Sequence, residues 1–243
     1  MNRLIKKINN LRHRIRLVFS RHWFVSLERD LSYIGIKNIS VVFDVGAHVG
    51  QTTLHFRKVF NQANIHCFEP IPENFIQLKK NSASKDRIKS NQLTLGASCG
   101  FASMELGDSD QSYAVYPNSE NNTVARPKIT KVELYSIDQY LEKEGITFID
   151  LLKIDVEGYE IEVLKGAKSA LKSGSIQAIL AECDFDPNDA QHTYFNNLWD
   201  FLRKENFAFI GLYDVIHYTN TSGIGYCNAL FINKIPPTQP YRK

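Results

Sequence analysis

The chain carries the stretch Val41-Val-Phe-Asp44-Val-Gly46-Ala-His48-Val-Gly50-Gln51, in which an apolar, β-branched run ends in an acid. A turn bracketed by two glycines follows, and then a segment that can begin a helix. In a parallel α/β sheet this order builds a nucleotide-sized pocket, because the glycines let the backbone bend and approach a ligand and the helix start supplies free N–H groups. The stretch therefore predicts a ligand-binding turn after the first strand.

A second strand also ends in an acid. The run Ile65-His-Cys-Phe68-Glu69-Pro70 brings a glutamate to the end of an apolar segment, where a carboxylate is suited to bind ribose hydroxyls. The two acid-ended strands together predict a cofactor that carries a nucleoside and lies across the first two strands.

The residues of the turn indicate which cofactor this is. A dinucleotide fingerprint has glycine at three positions, G-x-G-x-x-G, but counting from Gly46 the second is His48 and the third is Gln51. The Gly-Lys-Ser/Thr of a Walker loop is absent as well. The negative charge of Asp44 disfavours binding of a phosphate nearby and favours binding of a cationic group. S-adenosylmethionine (SAM) has a sulfonium, an α-amino group, a ribose and no phosphate, so it fits; the alternative is a tight β–α turn that binds no ligand.

Composition is that of a globular protein whose N-terminal segment is basic. The chain has 243 residues, 43% hydrophobic and 23% charged, and its net charge of +3 is too small to indicate nucleic-acid binding by itself. Residues 1–27 contain seven Lys or Arg residues and no acid. Apolar residues recur there at spacings of three and four, which predicts a basic amphipathic helix. Such a helix could lie on an anionic membrane surface, cover the cofactor cleft, or pack as an accessory helix with solvated charges.

Cysteine usage and hydropathy favour the cytoplasm. The four cysteines form neither a CxxC pair nor a Cys/His cluster, and Cys67 and Cys183 lie in apolar runs that predict buried, reduced thiols. We find no apolar run typical of a secretory signal or of a membrane span. We therefore expect a cytoplasmic protein, with peripheral contact at the inner membrane surface through residues 1–27 as an additional hypothesis.

Strand and helix patterns alternate from residue 39 onward. They predict a helical arm over 1–38, an α/β domain over 39–235 and a flexible tail over 236–243. Residues 99–130 are rich in Ser, Asn and Asp and predict a short hairpin and a long loop, and residues 159–171 predict one helix. We expect about seven sheet strands, of which the last two pair antiparallel: 40–44, 65–69, 93–97, 147–155, 176–182, 207–214 and 226–232.

Ligands of an open α/β sheet bind beyond the carboxyl ends of its strands. The acids at the predicted strand ends are Asp44, Glu69, Asp155 with Glu157, and Glu182 with Asp184. Methyl transfer to a hydroxyl requires that the hydroxyl lose its proton as it attacks. We predict Asp155 and Glu182 as catalytic residues, acting either as a general base or as ligands of a divalent cation such as Mg²⁺.

Three other side chains leave alternatives open. Lys153 is two residues before Asp155 and so lies on the same face of the strand, where it either orients a substrate oxygen or pairs with an acid. His217, between the last two strands, is an alternative base. Glu157 either contributes to the site or caps the helix that follows.

Several blocks together resemble the FkbM family of methyltransferases over roughly residues 40–233. They are Phe43-Asp-Val-Gly-Ala-His-Val-Gly-Gln51, Phe68-Glu-Pro70, Leu152-Lys-Ile-Asp-Val-Glu-Gly-Tyr-Glu-Ile-Glu-Val-Leu-Lys-Gly-Ala167, Ala181-Glu182 and Ala229-Leu-Phe231. The resemblance implies a Rossmann-like class I methyltransferase fold, with a seven-stranded, mostly parallel sheet whose last strand is antiparallel. It also implies SAM-dependent O-methylation of a hydroxyl, typically on a sugar of a glycan or glycolipid, or on a polyketide natural product.

The resemblance also implies roles by position. Asp44, Gly46 and Gly50 would surround the methionine moiety, Glu69 would bind the ribose, Ala97-Ser98 would line the adenine, and Asp155 would face the methyl group. With their neighbours, the implied cofactor-binding set is Asp44, Gly46, Ala47, His48, Gly50, Gln51, Thr52, Glu69, Pro70, Ala97, Ser98 and Asp155. Two departures are visible: His48 replaces a common Asn, and Asn228 replaces a common acid. The second departure removes a possible substrate or metal contact and leaves the acceptor less defined.

Two hypotheses from other classes compete with this one. An RNA or protein N-methyltransferase could use the basic arm to hold a polyanion. Amino methyltransferases, however, resemble one another in an Asn/Asp-Pro-Pro-aromatic motif, and the corresponding place here reads Asp155-Val-Glu-Gly158. A module without catalysis is disfavoured by the acids at the strand ends. We expect a hydroxyl-bearing small-molecule or glycan acceptor and no nucleic acid, and the sequence leaves the oligomeric state open.

Overall fold

The computed structural model describes residues 27–106, 113–117, 129–189, 191–217 and 224–235. The chain divides after Asn38 into two compact units, residues 1–38 and 39–243. In the first unit, residues 27–33 are helical. The basic amphipathic helix predicted within residues 1–27 falls almost entirely outside the described residues, and the predicted tail over 236–243 falls outside them altogether. Among the described residues, no helix combines the length and the apolar character needed to cross a bilayer.

The second unit is built on a seven-stranded sheet. Its strands, in sheet order, are β10 (Phe207–Tyr213), β11 (Tyr226–Asn233), β9 (Ile176–Asp184), β8 (Ile149–Ile154), β1 (Val41–Val45), β2 (Asn64–Phe68) and β3 (Ile88–Asn91). Strand β11 pairs antiparallel with both β9 and β10, whereas the pairs among β9, β8, β1, β2 and β3 are all parallel. This arrangement confirms the predicted Rossmann-like class I methyltransferase fold with an antiparallel last strand.

Six helices accompany these strands in the described part of the second unit. They are α1 (Gln51–Val59), α2 (Pro72–Ser82), α3 (Ile137–Glu144), α4 (Glu160–Lys165), α5 (Lys168–Lys172) and α6 (Phe195–Lys204). Strands β8 and β9 are buried along their whole length, as expected for parallel strands covered on both faces. Local signals set the start of some helices: Pro72 opens α2, and the Ser136 side chain accepts a hydrogen bond from Gln139 N at the start of α3.

A second, smaller sheet is formed by part of the region predicted as a loop. Its strands, in sheet order, are β4 (Thr94–Leu95), β7 (Ile129–Tyr135), β5 (Gly100–Leu106) and β6 (Tyr113–Pro117). The antiparallel pair β5–β6 matches the predicted hairpin. The prediction of a main-sheet strand over 93–97 is wrong, because the third parallel strand is Ile88–Asn91. That strand lies at the edge of the sheet, is only half-buried and has no run of apolar residues. The apolar residues Leu93 and Leu95 are buried, but they lie beyond the end of this strand.

The single helix predicted over residues 159–171 is also wrong, because the chain forms α4 and α5 with a break at Gly166. The Gly166 carbonyl accepts a hydrogen bond from Asp138 N at 3.0 Å. The Asp138 carboxylate then accepts from Ser169 N at 2.7 Å and from Ala170 N at 2.9 Å, so it caps α5 from α3. The capping residue Asp138 precedes Ser169 by 31 positions, so no sequence pattern near α5 indicates where that helix begins.

Gly46 sets the distance between the ends of β1 and β8. Its φ is +82°, and a Cβ atom at this position would lie 1.8 Å from the backbone oxygen of Asp155. The N–H groups of Gly46 and Ala47 both donate to the carbonyl oxygen of Phe68, at 3.0 and 2.9 Å. The turn after β1 is therefore held against the ends of both neighbouring strands, and only glycine fits at its first position.

We predict that Gly46→Ala destabilises the protein by about 3 kcal/mol, since it adds a left-handed backbone penalty to a clash with rigid main chain. The measurement is the free energy of unfolding from urea titration. Gly145→Ala is the matched control, because Gly145 also has a positive φ of +64° but nothing lies within 4 Å of the point that an alanine methyl group would occupy there. The control should lose only about 1 kcal/mol. Equal losses for both variants would contradict the role of the Gly46 contact.

Candidate active site

Asp44 is a buried acid near the end of β1 that is held from the first helix. Its Oδ2 accepts a hydrogen bond from the Thr53 hydroxyl at 2.5 Å. Burial raises the pKa of Asp44 to about 6, against the opposing effects of the Thr53 hydrogen bond and the Lys153 charge. The sequence predicted Asp44 and Thr52 in this region but missed Thr53, which is fully buried while Thr52 is half-buried.

The turn between β1 and α1 has the left-handed backbone that its glycines suggested. Gly50 has a φ of 88° and precedes the first residue of α1, and His48 has a φ of 49° although it is not glycine. Ala47 is buried, His48 is half-buried and Gln51 is exposed. His48 is thus held in a conformation that L-residues rarely adopt, which is a feature often seen at ligand-binding turns.

Glu69 fastens this turn to the end of β2. Its Oε2 accepts from His48 N at 2.9 Å, and its Oε1 accepts from Ile71 N at 2.9 Å. Burial raises the pKa of Glu69 to about 7, although the two backbone hydrogen bonds lower it. The Asn74 side chain also hydrogen-bonds to Glu69. A carboxylate has about four acceptor sites, so the group retains acceptor capacity for a ligand hydroxyl. Pro70, the next residue, is buried.

Ala97 and Ser98 do not end the third main-sheet strand, which is Ile88–Asn91. They are exposed and follow β4 of the small sheet. Asn91 holds the strand-end position instead, and its carbonyl oxygen accepts from Glu69 N at 3.1 Å. The adenine contact assigned to Ala97 and Ser98 stays a prediction, and Asn91 is a neighbour of Glu69 that sequence reasoning missed.

Lys153, Asp155 and Glu182 form a connected cluster at the ends of β8 and β9. The buried Nζ of Lys153 donates to Asp155 Oδ2 at 3.0 Å, and the carboxyl groups of Asp155 and Glu182 are hydrogen-bonded to each other. The Asp155 side chain remains 35% exposed, whereas that of Lys153 is only 2% exposed. Of the two roles left open for Lys153, pairing with an acid is the one present in the structure.

The pKa values of the two acids in this cluster are shifted in opposite directions. Burial acts to raise the pKa of Asp155, but Lys153 and the hydrogen bond from Glu182 outweigh it and lower that pKa. Burial and the negative charge of Asp155 raise the pKa of Glu182 well above its ordinary value. Asp155 is therefore the acid of this pair that ionises more readily.

His192, in the segment between β9 and α6, was not predicted from the sequence. Its Nδ1 lies 3.3 Å from Asp189 Oδ2, and its Nε2 lies 3.9 Å from Glu182 Oε2. The ring stacks on that of Tyr226 with centroids 4.9 Å apart and planes at 9°. A histidine soon after an acid-ended strand was a weak signal, and only the pairing of β11 with β9 brings Tyr226 beside it.

The loop after β8 is organised by Glu160 and not by Glu157. Glu160 accepts from Val156 N at 3.0 Å and from Gly158 N at 3.4 Å, and it also accepts from the Thr193 hydroxyl. Glu157 has a positive φ of 52° and makes no side-chain cap to α4. Burial, followed by the charges of Asp155 and Glu160, raises the pKa of Glu157 to about 8. The capping alternative for Glu157 is therefore not what the structure contains.

His217, the alternative base, is exposed and lies beyond β10 in an isolated bridge with Ile224. The adjoining residues 218–223 lie outside the described part of the chain. The predicted residues that converge around β1, β2, β8 and β9 are thus Asp44, the Gly46 turn, Glu69, Lys153, Asp155 and Glu182.

The chain is similar in sequence to known methyltransferases. The sequence is similar to the hexuronic acid methyltransferase AglP of Haloferax volcanii, with 30% identity over 151 residues, covering 61% of this chain and 59% of that protein. It is also similar to the 2-O-methyltransferase NoeI of Sinorhizobium fredii, with 24% identity over 144 residues, covering 54% of this chain and 58% of that protein. In both comparisons the match spans less than two thirds of the relative's own length.

A solved structure shares the fold. The methyltransferase FkbM of Methylobacillus flagellatus KT superposes with a TM-score of 0.52 at 15% identity, over 80% of this chain and 44% of that one. The sequence matches the profile of the methyltransferase FkbM domain over residues 44–209, which is more than half of the chain. This range includes the Gly46 turn, Glu69, Asp155, Glu182 and His192. The chain belongs to the FkbM methyltransferase domain family.

Proposed function

We propose that this protein is a SAM-dependent O-methyltransferase that modifies a hydroxyl of a sugar in a glycan, a glycolipid or a related natural product. The observation that carries this proposal is the meeting of Asp44, Glu69 and Asp155 around the glycine turn. These acids lie at the adjoining carboxyl ends of three neighbouring parallel strands, which is where open α/β sheets bind their ligands.

The residues of the cleft fit the chemistry of SAM. The two acceptor oxygens of Glu69 suit ribose hydroxyls, and the acids Asp44 and Asp155 suit a cationic group. No acid stands in the first turn of α1, so its N-terminal N–H groups suit the carboxylate of the methionine part. When bound, SAM supplies an electrophilic methyl group, and we assign Asp155 to the side of the cleft that this group faces.

The acceptor side of the cleft lies toward β9. A sugar hydroxyl is a weak nucleophile, so the site must accept its proton during attack. Asp155 is ionised and partly exposed, so it can take this proton while Lys153 and Glu182 hold its position. A sugar acceptor is also supported by the names of two relatives, one a hexuronic acid methyltransferase and the other a 2-O-methyltransferase. A divalent cation on the same side would be a second way to acidify the hydroxyl.

The location of the protein stays a prediction. A cytoplasmic protein with peripheral membrane contact through residues 1–27 is consistent with seven basic residues and no acid in that segment. Residues 1–26 lie outside the described part of the chain, so this contact is argued from charge and apolar spacing alone.

We expect Glu69→Ala to weaken binding of S-adenosylhomocysteine, the demethylated cofactor, by roughly 10- to 100-fold, because hydrogen bonds to a carboxylate are lost. Isothermal titration calorimetry measures the affinity. Glu142→Ala, an exposed acid on α3, is the control and should leave the affinity unchanged. Unchanged affinity in Glu69→Ala would remove the ribose assignment.

Cofactor affinity should also depend on pH through Glu69. Burial raises the pKa of this group to about 7, and ribose hydroxyls donate to its ionised form. Binding of S-adenosylhomocysteine should therefore weaken about tenfold as the pH falls from about 8 to about 6. Calorimetry across this range on Glu69→Gln, which cannot ionise at this position, should leave only the roughly twofold change that Asp44, with a pKa of about 6, contributes. A pH profile that is the same in both proteins would contradict the assignment.

Asp155→Asn should lower turnover roughly 100-fold or more, since the side chain loses its charge and its capacity to accept a proton. The assay is transfer of labelled methyl from SAM to fractionated cell-envelope glycans, with circular dichroism to verify folding. Asp150→Asn is the matched control: Asp150 stands near the opposite end of β8, where it accepts from Ser40 N at 2.9 Å and from Val41 N at 2.8 Å. A folded Asp155→Asn protein with full activity would refute the catalytic role, and label found in RNA or protein instead would refute the acceptor class.

A further inference from the structure

The carboxyl ends of strands β8 and β9, beside Asp155, hold more acidic groups than basic ones. Glu157, Glu182 and Asp189 lie around His192, while the ammonium of Lys153 is already paired with Asp155. The ammonium of Lys153 is shared among Asp155, Glu157 and Glu182, so further positive charge would stabilise these carboxyl groups.

Three ligand-type atoms converge at this edge. One carboxylate oxygen each of Glu157 and Glu182 and one ring nitrogen of His192 all lie within 4.8 Å of one another. Ligand atoms about 2.1 Å from a shared ion stand at most about 4.2 Å apart, so small side-chain movements would bring all three into coordination.

His192 is oriented for coordination by its second nitrogen. Asp189 Oδ2 lies 3.3 Å from Nδ1, and backbone N–H groups of Gln191 and His192 donate to Asp189 Oδ1 at 2.6 and 3.2 Å. Stacking on Tyr226 fixes the plane of the ring. The Nε2 atom is left facing Glu182, in the carboxylate–histidine arrangement that supports metal-binding imidazoles.

Asn228 gives an independent indication of a ligand. It is only 6% exposed, and its Oδ1 has no hydrogen-bond partner in the described part of the protein. Asn228 stands directly opposite Glu182 in the antiparallel β9–β11 pair, so the two side chains lie on the same face of the sheet. Tyr226, two residues earlier, lies on that face too and contacts His192. A buried amide oxygen without a donor, in this position, points to a cation.

We propose that Glu157, Glu182, His192 and Asn228 bind one divalent first-row cation, of which Mn²⁺ is the best match. Three oxygen ligands and one imidazole suit Mn²⁺ better than Zn²⁺, which favours cysteine and histidine, or Mg²⁺, which favours oxygen alone. Four protein ligands leave two positions of an octahedron, which can take two adjacent oxygens of a sugar. This second role rests on the proposed function, whereas binding of the cation itself does not.

The neighbouring triad of Asp184, Asp189 and His192 is a weaker site for the same ion. Asp184 Oδ1 already accepts from Asp186 N, and both oxygens of Asp189 are used by backbone N–H groups and by His192. Asn228 also stands opposite Glu182 and not opposite Asp184.

The test is titration of the full-length, chelator-treated protein with MnCl₂ alone, with free Mn²⁺ followed by electron paramagnetic resonance. We expect one ion per chain. Glu182→Gln and His192→Asn should each weaken binding at least tenfold, and Asp189→Asn, which only orients the ring, by about tenfold. Glu133→Gln, an exposed acid on β7, is the control and should bind as the parent protein does.

Asn228→Asp keeps the proposal testable if the other variants fail to fold. A fourth ligand that carries charge should tighten Mn²⁺ binding, and MnCl₂ should raise the thermal midpoint of this variant more than that of the parent protein. Absence of Mn²⁺ binding to the parent protein, or equal binding by it and the folded Glu182→Gln and His192→Asn variants, would overturn the site.

Calorimetry with S-adenosylhomocysteine in the presence of chelator separates this inference from the proposed function. If the compound binds and methyl transfer continues while Mn²⁺ does not bind, the metal site falls and the function stands. If the compound does not bind, the proposed function falls, and the MnCl₂ titration still decides the metal site.

Discussion

The contact between the Gly46 turn and the end of β8 is the constraint on which the candidate site depends. The two backbones approach so closely that a Cβ on residue 46 would lie 1.8 Å from Asp155 O. Asp155 N donates to Val45 O, and Gly46 N donates to Phe68 O, each at 3.0 Å. Backbone hydrogen bonds thus join the ends of β1, β2 and β8. The main chain positions the acids at these strand ends, so the spacing of their Cα atoms does not depend on the protonation of their side chains.

The acids at this edge oppose stability, which argues that they serve binding or chemistry. An ionised carboxylate loses hydration on burial, and a single neighbouring ammonium replaces only part of it. Lys153 favours the ionised form of Asp155, while burial raises the pKa of Glu182 and brings that of Glu157 to about 8. A hydrophobic strand end would avoid this cost entirely. Strongly shifted acids in a cleft at the carboxyl edge of a sheet are instead typical of functional sites.

The sequence predicted four of the five parallel strands, β1, β2, β8 and β9, because each is an apolar run with an acidic residue at its end. Asp44, Glu69 and Asp155 could be located in this way, and the structure brings them together. The edge strand β3 was misplaced because its half-buried residues carry no apolar run. His192 was missed, and Asn228 was noted only as a departure from the family, for a different reason. Their relation to Glu182 exists only once β11 pairs with β9, and no local pattern encodes that register.

The direction of β11 explains how the two sides of the cleft differ. A parallel strand beside β9 would bring its last residues to the carboxyl edge, whereas the antiparallel β11 brings its first ones, Tyr226 and Asn228. In the proposed function, the ends of β1, β2 and β8 serve a cofactor of constant structure, so simple strand-end motifs suffice there. In the same proposal, the side formed by β9 and β11 serves the acceptor. Its side chains come from a loop and from a strand start, which can change without altering the cofactor side, and this is where enzymes of one fold differ in substrate.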